Sequence, residues 1–204
     1  MKETISLVTY PTAALFEQSA PVEVFDEALR DKLQHMMMAC DFFHGIGLAG
    51  VQIGYNQNII FINHDAIVEY EQKQREQSVP ALLNKPLFLI NPVITERSEE
   101  TFESEEGCLS LPGIRAKVTR AVVVVVEYQD EFGQKQKMDC SLPYLSACVQ
   151  HEVDHTQGIT LLQRVSPESR HILARKISEF LKKNKDPLFF TPYEGCAPGC
   201  NHHH

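Results

Sequence analysis

The sequence predicts an α+β fold: short, mostly antiparallel β-strands packed around a central helix that carries His151-Glu152-Val153-Asp154-His155, followed by a C-terminal helix. Three observations lead there. Strand-like apolar runs come first and the long helical pattern follows them, where a doubly wound sheet would alternate the two. The run at 118–128 is followed by turn residues Asp130 to Gly133 and a second run at 134–140, which reads as a hairpin. No internal repeat or linker divides the 204 residues, so one domain is expected.

The elements follow in order. Residues 26–43 predict a helix, with Asp26 as its cap and Leu29, Leu33, Met36, Met37 and Cys40 as a 3.6-period apolar stripe. Gly45 is expected to end it. Residues 59–63 and 87–91 read as short strands. Between them, 64–80 is polar and reads as a surface excursion. The valines from 122 to 126 suggest burial on both faces or a β-rich core. Ser141 and Pro143 are expected to start the helix that carries the histidines, and Gly158 to stop it. Ser166, Pro167 and Glu168 start a third helix, running to about Lys183, with Ile172, Leu173, Ile177, Phe180 and Leu181 as its buried face. Residues 184–204 read as a loose tail.

Composition sets the bounds. Apolar residues are 43 % and charged residues 23 %, enough for a packed core and too balanced for a disordered chain. A formal net charge of −8 argues against nucleic-acid binding and against an anionic membrane surface. No apolar run approaches a membrane span. The first residues have neither a signal-peptide core nor a transit-peptide composition, so a cytoplasmic protein is expected. The six cysteines are then expected to be reduced. Cys40 and Cys148 read as core fillers, and Cys140 closes a strand. Cys196 and Cys200 precede three terminal histidines that read as part of a purification tag.

The His-Glu-x-x-His spacing carries the chemistry. On a helix, positions i and i+4 share a face, so His151 and His155 can both aim a ring nitrogen at one metal ion. Glu152 beside them can take a proton from water at that ion. A catalytic site needs a third protein ligand. The chain follows the extended zinc-protease pattern to Gly158, but Leu161 stands where that pattern needs a histidine. Glu168 and Glu179 lie on the amphipathic third helix and read as solvated charges. Cys108, beside Gly107, is the upstream candidate, and a lone cysteine is otherwise a small buried hydrophobe.

Three strings stand in order along the chain: GIGLAGVQ at 45–52, EGCLS at 106–110 and QHEVDH at 150–155. Together they resemble the three signature motifs of the peptide deformylases. The likeness starts near Leu7-Val8-Thr9-Tyr10-Pro11, takes in Pro21-Val22 and Phe25-Asp26, and reaches about residue 182. There are departures. Gly50 replaces the usual second alanine of the first motif. Residues 12–16 lack the charges usual after Pro11, and 64–80 is longer than the usual link.

The resemblance implies a single catalytic domain over 1–183. It implies a metal-dependent hydrolase that removes the N-formyl group from the formylmethionine of new polypeptides and releases formate. Cys108, His151 and His155 would hold one divalent ion, Fe(II) in the cell, with Zn(II), Ni(II) or Co(II) fitting the same donors. Glu152 would be the general base. The backbone N–H of Leu109 and the side-chain amide of Gln52 would stabilise the oxyanion. The peptide would lie extended against Ile46, Gly47 and Gly107. Its methionine would meet Ile46, Tyr144, Ala147 and Cys148. Tyr144 and Ala147 stand where aliphatic residues are expected. Arg115 matches an arginine near the peptide path and reads equally as a loop charge. Partners would be N-formylmethionyl peptides, nascent chains and the ribosome, with no specific nucleic acid and no membrane. Three other readings stay open: a zincin-type peptidase, a non-catalytic relative that binds formylated peptides, and a structural metal protein.

Overall fold

A computed structural model describes residues 4–75, 87–183 and 188–192. The architecture is α+β, as expected. A five-stranded antiparallel sheet has the order β2 (Gly47–Ala49), β3 (Ile59–Ile62), β4 (Leu87–Arg97), β7 (Val124–Gln129) and β8 (Lys135–Cys140). Two further antiparallel pairs stand apart. They are β5 (Thr101–Gly107) with β6 (Arg115–Ala121), and β1 (Thr4–Val8) with β9 (Leu188–Pro192). The helix α3 (Pro143–Thr156) lies among them, contacting β2, β3, β6 and β8. Every residue of α3 from Leu145 to Thr156 is buried. A helix buried all round belongs at a core, and here polar side chains share that core.

The helix α1 (Glu27–Phe42) forms where expected. Asp26 accepts a hydrogen bond from the Leu29 N–H at 2.9 Å, which satisfies one of the free donors of the first turn. Its buried stripe is Leu29, Leu33, Met36, Ala39 and Cys40. Gly45 does not make the stop. His44 takes the left-handed conformation (φ 54°), and the Gly45 N–H closes the helix end on the Cys40 carbonyl at 2.8 Å. Gly45 is small for another reason: a Cβ there would stand 2.9 Å from both Cys40 Sγ and Leu109 Cδ1.

Several elements differ from expectation. The run at 118–128 is two strands. β6 pairs with β5, the chain crosses at Val122 and Val123, and β7 pairs with β4 and β8. Val124 and Val126 are fully buried and Val125 is not, so the valine run alternates; it is not buried on both faces. β4 continues past 91. Asn91 adopts φ 52° and its side chain both accepts from and donates to the Val22 backbone at 2.8 Å, which carries the strand over a bulge at Pro92. Residue 142, not Ser141, is the cap position of α3, and it offers no side-chain acceptor. The excursion at 64–80 contains the helix α2 (His64–Arg75), whose Ile67 and Glu71 are buried.

The helices α4 (Leu161–Arg164) and α5 (Pro167–Lys183) complete the helical part. In α5, Leu173 and Phe180 are buried, whereas Ile172 and Leu181 are exposed, so the buried face is narrower than expected. Within the expected tail, 188–192 is not loose but forms β9, paired with β1 from Thr4↔Pro192 to Val8↔Leu188. Cys196, Cys200 and the terminal histidines lie outside the described residues.

Candidate active site

Three local structures converge. β5 ends at Gly107, and Cys108 opens a turn closed by Leu111 N–H on the Cys108 carbonyl at 2.9 Å. β2 leads through Ala49 into a short helical turn, Gly50–Ile53, that holds Gln52. α3 brings His151, Glu152 and His155. Cys108 and the two histidines each offer a ligand atom, and these atoms lie within 4.8 Å of one another. Cys108 Sγ is 3.2 Å from His155 Nε2. His151 Nδ1 is bound to Glu106 Oε2 at 2.9 Å, which leaves Nε2 to face the cluster.

The electrostatics suit a cation. Burial raises the thiol pKa of Cys40, Cys140 (to about 12) and Cys148. Burial also opposes ionisation of Cys108, but the charges and hydrogen bonds of His155 and His151 outweigh it and hold the thiol down at about 5. Glu152 behaves oppositely. Its burial raises the carboxyl to about 7 against the pull of His151 and His155, with Cys108 and Glu106 adding to the rise. Among the described residues, Glu152 Oε2 and His155 Nδ1 are buried without a hydrogen-bond partner. A thiolate and two imidazoles, with a carboxylate oxygen left unpaired beside them, fit a divalent metal of the Zn(II) or Fe(II) type. Replacing Cys108 with serine is expected to lower bound metal well below one ion per chain after dialysis, read by elemental analysis. Unchanged stoichiometry would remove Cys108 from the ligand set.

A cavity of about 520 Å³ opens over this cluster. Gln52, Gly107, Cys108, Leu109, His151 and Glu152 line it. So do Ile46, Gly47, Tyr144, Ala147 and Cys148, while His155 lies deeper. Arg115 stands at the rim, more than half exposed, and also pairs with Glu105 at 3.5 Å. Gln52 is fixed by its Oε1, which accepts from the Ala49 N–H at 2.8 Å. Its Nε2 is thereby turned to Ser110 Oγ at 3.2 Å and to Cys108 Sγ at 3.6 Å. The cavity, the donor set and the buried acid lie together, as in a hydrolytic site.

That geometry has counterparts. The family model for polypeptide deformylase matches residues 5–171. The chain belongs to the peptide deformylase family. It is 33 % identical over 180 residues to the peptide deformylase of Chromobacterium violaceum, covering 88 % of this chain and 98 % of that one. The crystal structure of the Ehrlichia chaffeensis peptide deformylase superposes with a TM-score of 0.76 at 28 % identity, covering 90 % of this chain and all of that one. The peptide deformylase of Plasmodium falciparum gives 0.75 at 30 % identity, over 88 % of this chain and 96 % of that chain.

The deformylase motifs hold more than the residues first singled out. Glu106 and Asp154 stand inside two of the three strings without an assigned task. In the fold they clasp Arg120. Its guanidinium donates to Glu106 at 2.7 and 2.9 Å and to Asp154 at 2.7 Å, and Asp154 also accepts from Arg164 at 2.9 Å. Gln150 ties α3 to β6: its amide oxygen accepts from the Ala121 N–H at 3.2 Å and its Nε2 donates to the Ala121 carbonyl at 3.0 Å. The signal for these was their place in the motifs.

Gly47 has a steric task besides any pairing with peptide. A Cβ there would meet Cys148 Sγ and Glu152 Oε1, each at 2.8 Å. Gly47→Ala must therefore displace the Glu152 carboxylate. It is expected to cut turnover by about 10²-fold, since ångström-scale misplacement costs that much. Wild-type turnover in a variant of native circular dichroism would contradict that packing.

Proposed function

We propose that the chain is a metal-dependent hydrolase that removes the N-formyl group from the N-terminal formylmethionine of newly made polypeptides and releases formate. The observation that carries this reading is the buried Glu152, with a carboxyl near 7 and an unpaired oxygen, beside the Cys108–His151–His155 cluster at the base of the cavity. Membership of the deformylase family supplies the substrate class. The catalytic unit is residues 1–183, and its substrates are N-formylmethionyl peptides and nascent chains at the ribosome in the cytoplasm. Among the described residues, no helix is long and apolar enough to cross a membrane.

Cys108, His151 and His155 would hold one divalent ion, Fe(II) in the cell and Zn(II), Ni(II) or Co(II) in its place in vitro. When bound, such an ion polarises a carbonyl and makes water easier to deprotonate near neutral pH. The chain's own residues do the rest. Glu152 takes a proton from the attacking water as its oxygen bonds to the formyl carbon. The negative charge that grows on the formyl oxygen is met by the Leu109 N–H and by Gln52 Nε2, whose direction is fixed before substrate arrives. The C–N bond then breaks, its electron pair passes to nitrogen, and Glu152 returns the proton to the leaving amine. Ile46, Gly47 and Gly107 flank the peptide backbone, and Ile46, Tyr144, Ala147 and Cys148 surround the methionine side chain. Arg115, at the rim, faces the onward path of the peptide.

The test is formate release from formyl-Met-Ala-Ser by protein purified without oxygen and reconstituted in turn with Fe(II), Ni(II) and Zn(II). Turnover with at least one ion is expected. No formate with any ion, despite one bound ion per chain, would overturn the proposal.

A further inference from the structure

The segment between β3 and β4 sends a carboxylate inward. Glu71 of α2 is only 3 % exposed, and its Oε1 accepts a hydrogen bond from the Tyr144 backbone N–H at 2.9 Å. Tyr144 is the second residue of α3, which begins with Pro143 after a cap position that has no acceptor to give. The first N–H groups of a helix have no partner within the helix. Glu71 supplies from a separate element what a serine or aspartate would supply from the cap. Its negative charge also suits the positive end of α3. Ile67, on the same helix as Glu71, is fully buried in one cluster with Leu145 and Val149, so α2 is anchored against α3.

Tyr144 also lines the cavity, together with Ala147, Cys148 and His151. Positions 144, 147, 148 and 151 form a single helical face. The first turn of α3 is thus a wall of the side-chain pocket, and the turns beyond it carry the metal ligands. How that first turn is held decides how far the wall stands from the reacting atoms. On the deformylase reading of this site, we propose that Glu71 is a positioning residue for substrate choice: it fixes Tyr144 as a pocket wall and so sets which N-terminal side chain is admitted. Glu71 touches neither substrate nor reacting atoms. Without its carboxylate the Tyr144 N–H loses that acceptor, the first turn loosens, and the wall beside the small Ala147 retreats. Larger side chains then enter.

The experiment compares wild type, Glu71→Ala and Glu71→Gln, each loaded with Ni(II), on formyl-Met-Ala-Ser and formyl-Phe-Ala-Ser. The glutamine retains an oxygen that can accept the same hydrogen bond. In Glu71→Ala, kcat on the methionyl substrate is expected to stay within about twofold, with the change in KM. The preference for methionine over phenylalanine in kcat/KM is expected to fall by about fivefold or more, within what a reshaped apolar pocket can change. Glu71→Gln should restore most of it. Calorimetric binding of the product peptides Met-Ala-Ser and Phe-Ala-Ser should show the same loss without turnover. An unchanged preference in folded Glu71→Ala, or an equal loss on both substrates, overturns the role of Glu71. Should that variant not fold, Tyr144→Ala must itself lose the preference, and retained preference there overturns the role. Wild type inactive on both formyl peptides, with Fe(II) and Zn(II) as with Ni(II), overturns the deformylase reading instead, and the product-binding comparison still decides the role of Glu71.

Discussion

Replacing Glu152 with alanine is expected to abolish formate release while the protein still binds its ion. The carboxylate is buried and is not one of the three clustered ligands, so its loss leaves the donor set intact. What goes is an acid that lines the cavity directly beside His151 on α3, its carboxyl raised by burial towards neutrality, to about 7. A base poised there can both accept the proton of water and return it to the amine. Removing such a group costs about 10²–10⁴-fold in rate, and more where one residue serves both transfers. Glu152→Gln keeps the shape and still cannot take a proton, so it should be equally inactive. Formate release at wild-type rates by either variant, at equal metal content, would remove Glu152 from the mechanism.

Arg120→Ala is expected to have the largest effect on stability. Arg120, Glu106 and Asp154 are all nearly fully buried. Truncating the arginine leaves two carboxylates in the core whose other close partners, among the described residues, are the His151 imidazole and the half-exposed Arg164. Breaking such a pair costs about 3–5 kcal/mol, which urea denaturation can read as a lowered midpoint. The damage also reaches the metal. Glu106 orients His151 through Nδ1, and loss of an orienting partner typically weakens metal affinity about 10–100-fold. The pH dependence has a definite sign. Burial alone would raise the Glu106 carboxyl, but Arg120 and His151 hold it down from 4.5 to about 2. A group depressed in the folded state stabilises the fold fully above its unfolded pKa. That contribution should therefore be present above pH 4.5, fade as the pH falls towards 2, and be largely missing in Arg120→Ala. A wild-type midpoint with unchanged acid sensitivity would show that the cluster contributes nothing.

The helices α1, α3 and α5 were legible because their signals are local. The stripe from Leu29 to Cys40 and the cap at Asp26 specify α1, and the QHEVDH string specifies the chemistry of α3. The β7–β8 hairpin was legible from Asp130 and Gly133, whose side chain and conformation make the turn. The division of 118–128 was not, because β6 and β7 are told apart only by their partners, and those lie in other parts of the chain. The face of α5 was misjudged at Ile172 and Leu181, since periodicity fixes a stripe but not how much of it finds a neighbour. Glu71 was not legible within the segment 64–80, read as a surface excursion, because the hydrogen bond it accepts comes from Tyr144, far along the sequence. Cys108, His151, Glu152 and His155, which the fold brings together, were legible as candidates from their motifs; the ion cluster behind them, Glu106–Arg120–Asp154, is a property of three elements brought together.

The pairing of β1 with β9 has a consequence for how the protein is made. Thr4 sits opposite Pro192, so this ladder joins two segments that lie far apart along the chain, one made well before the other. Contacts so distant along the chain are slow to close and must wait for their partner. The five-stranded sheet and the site are complete once α3 is out, whereas β1 keeps an unpaired edge until residue 192 has cleared the exit. A growing copy of this chain therefore assembles its catalytic centre before it finishes its own N-terminal strand.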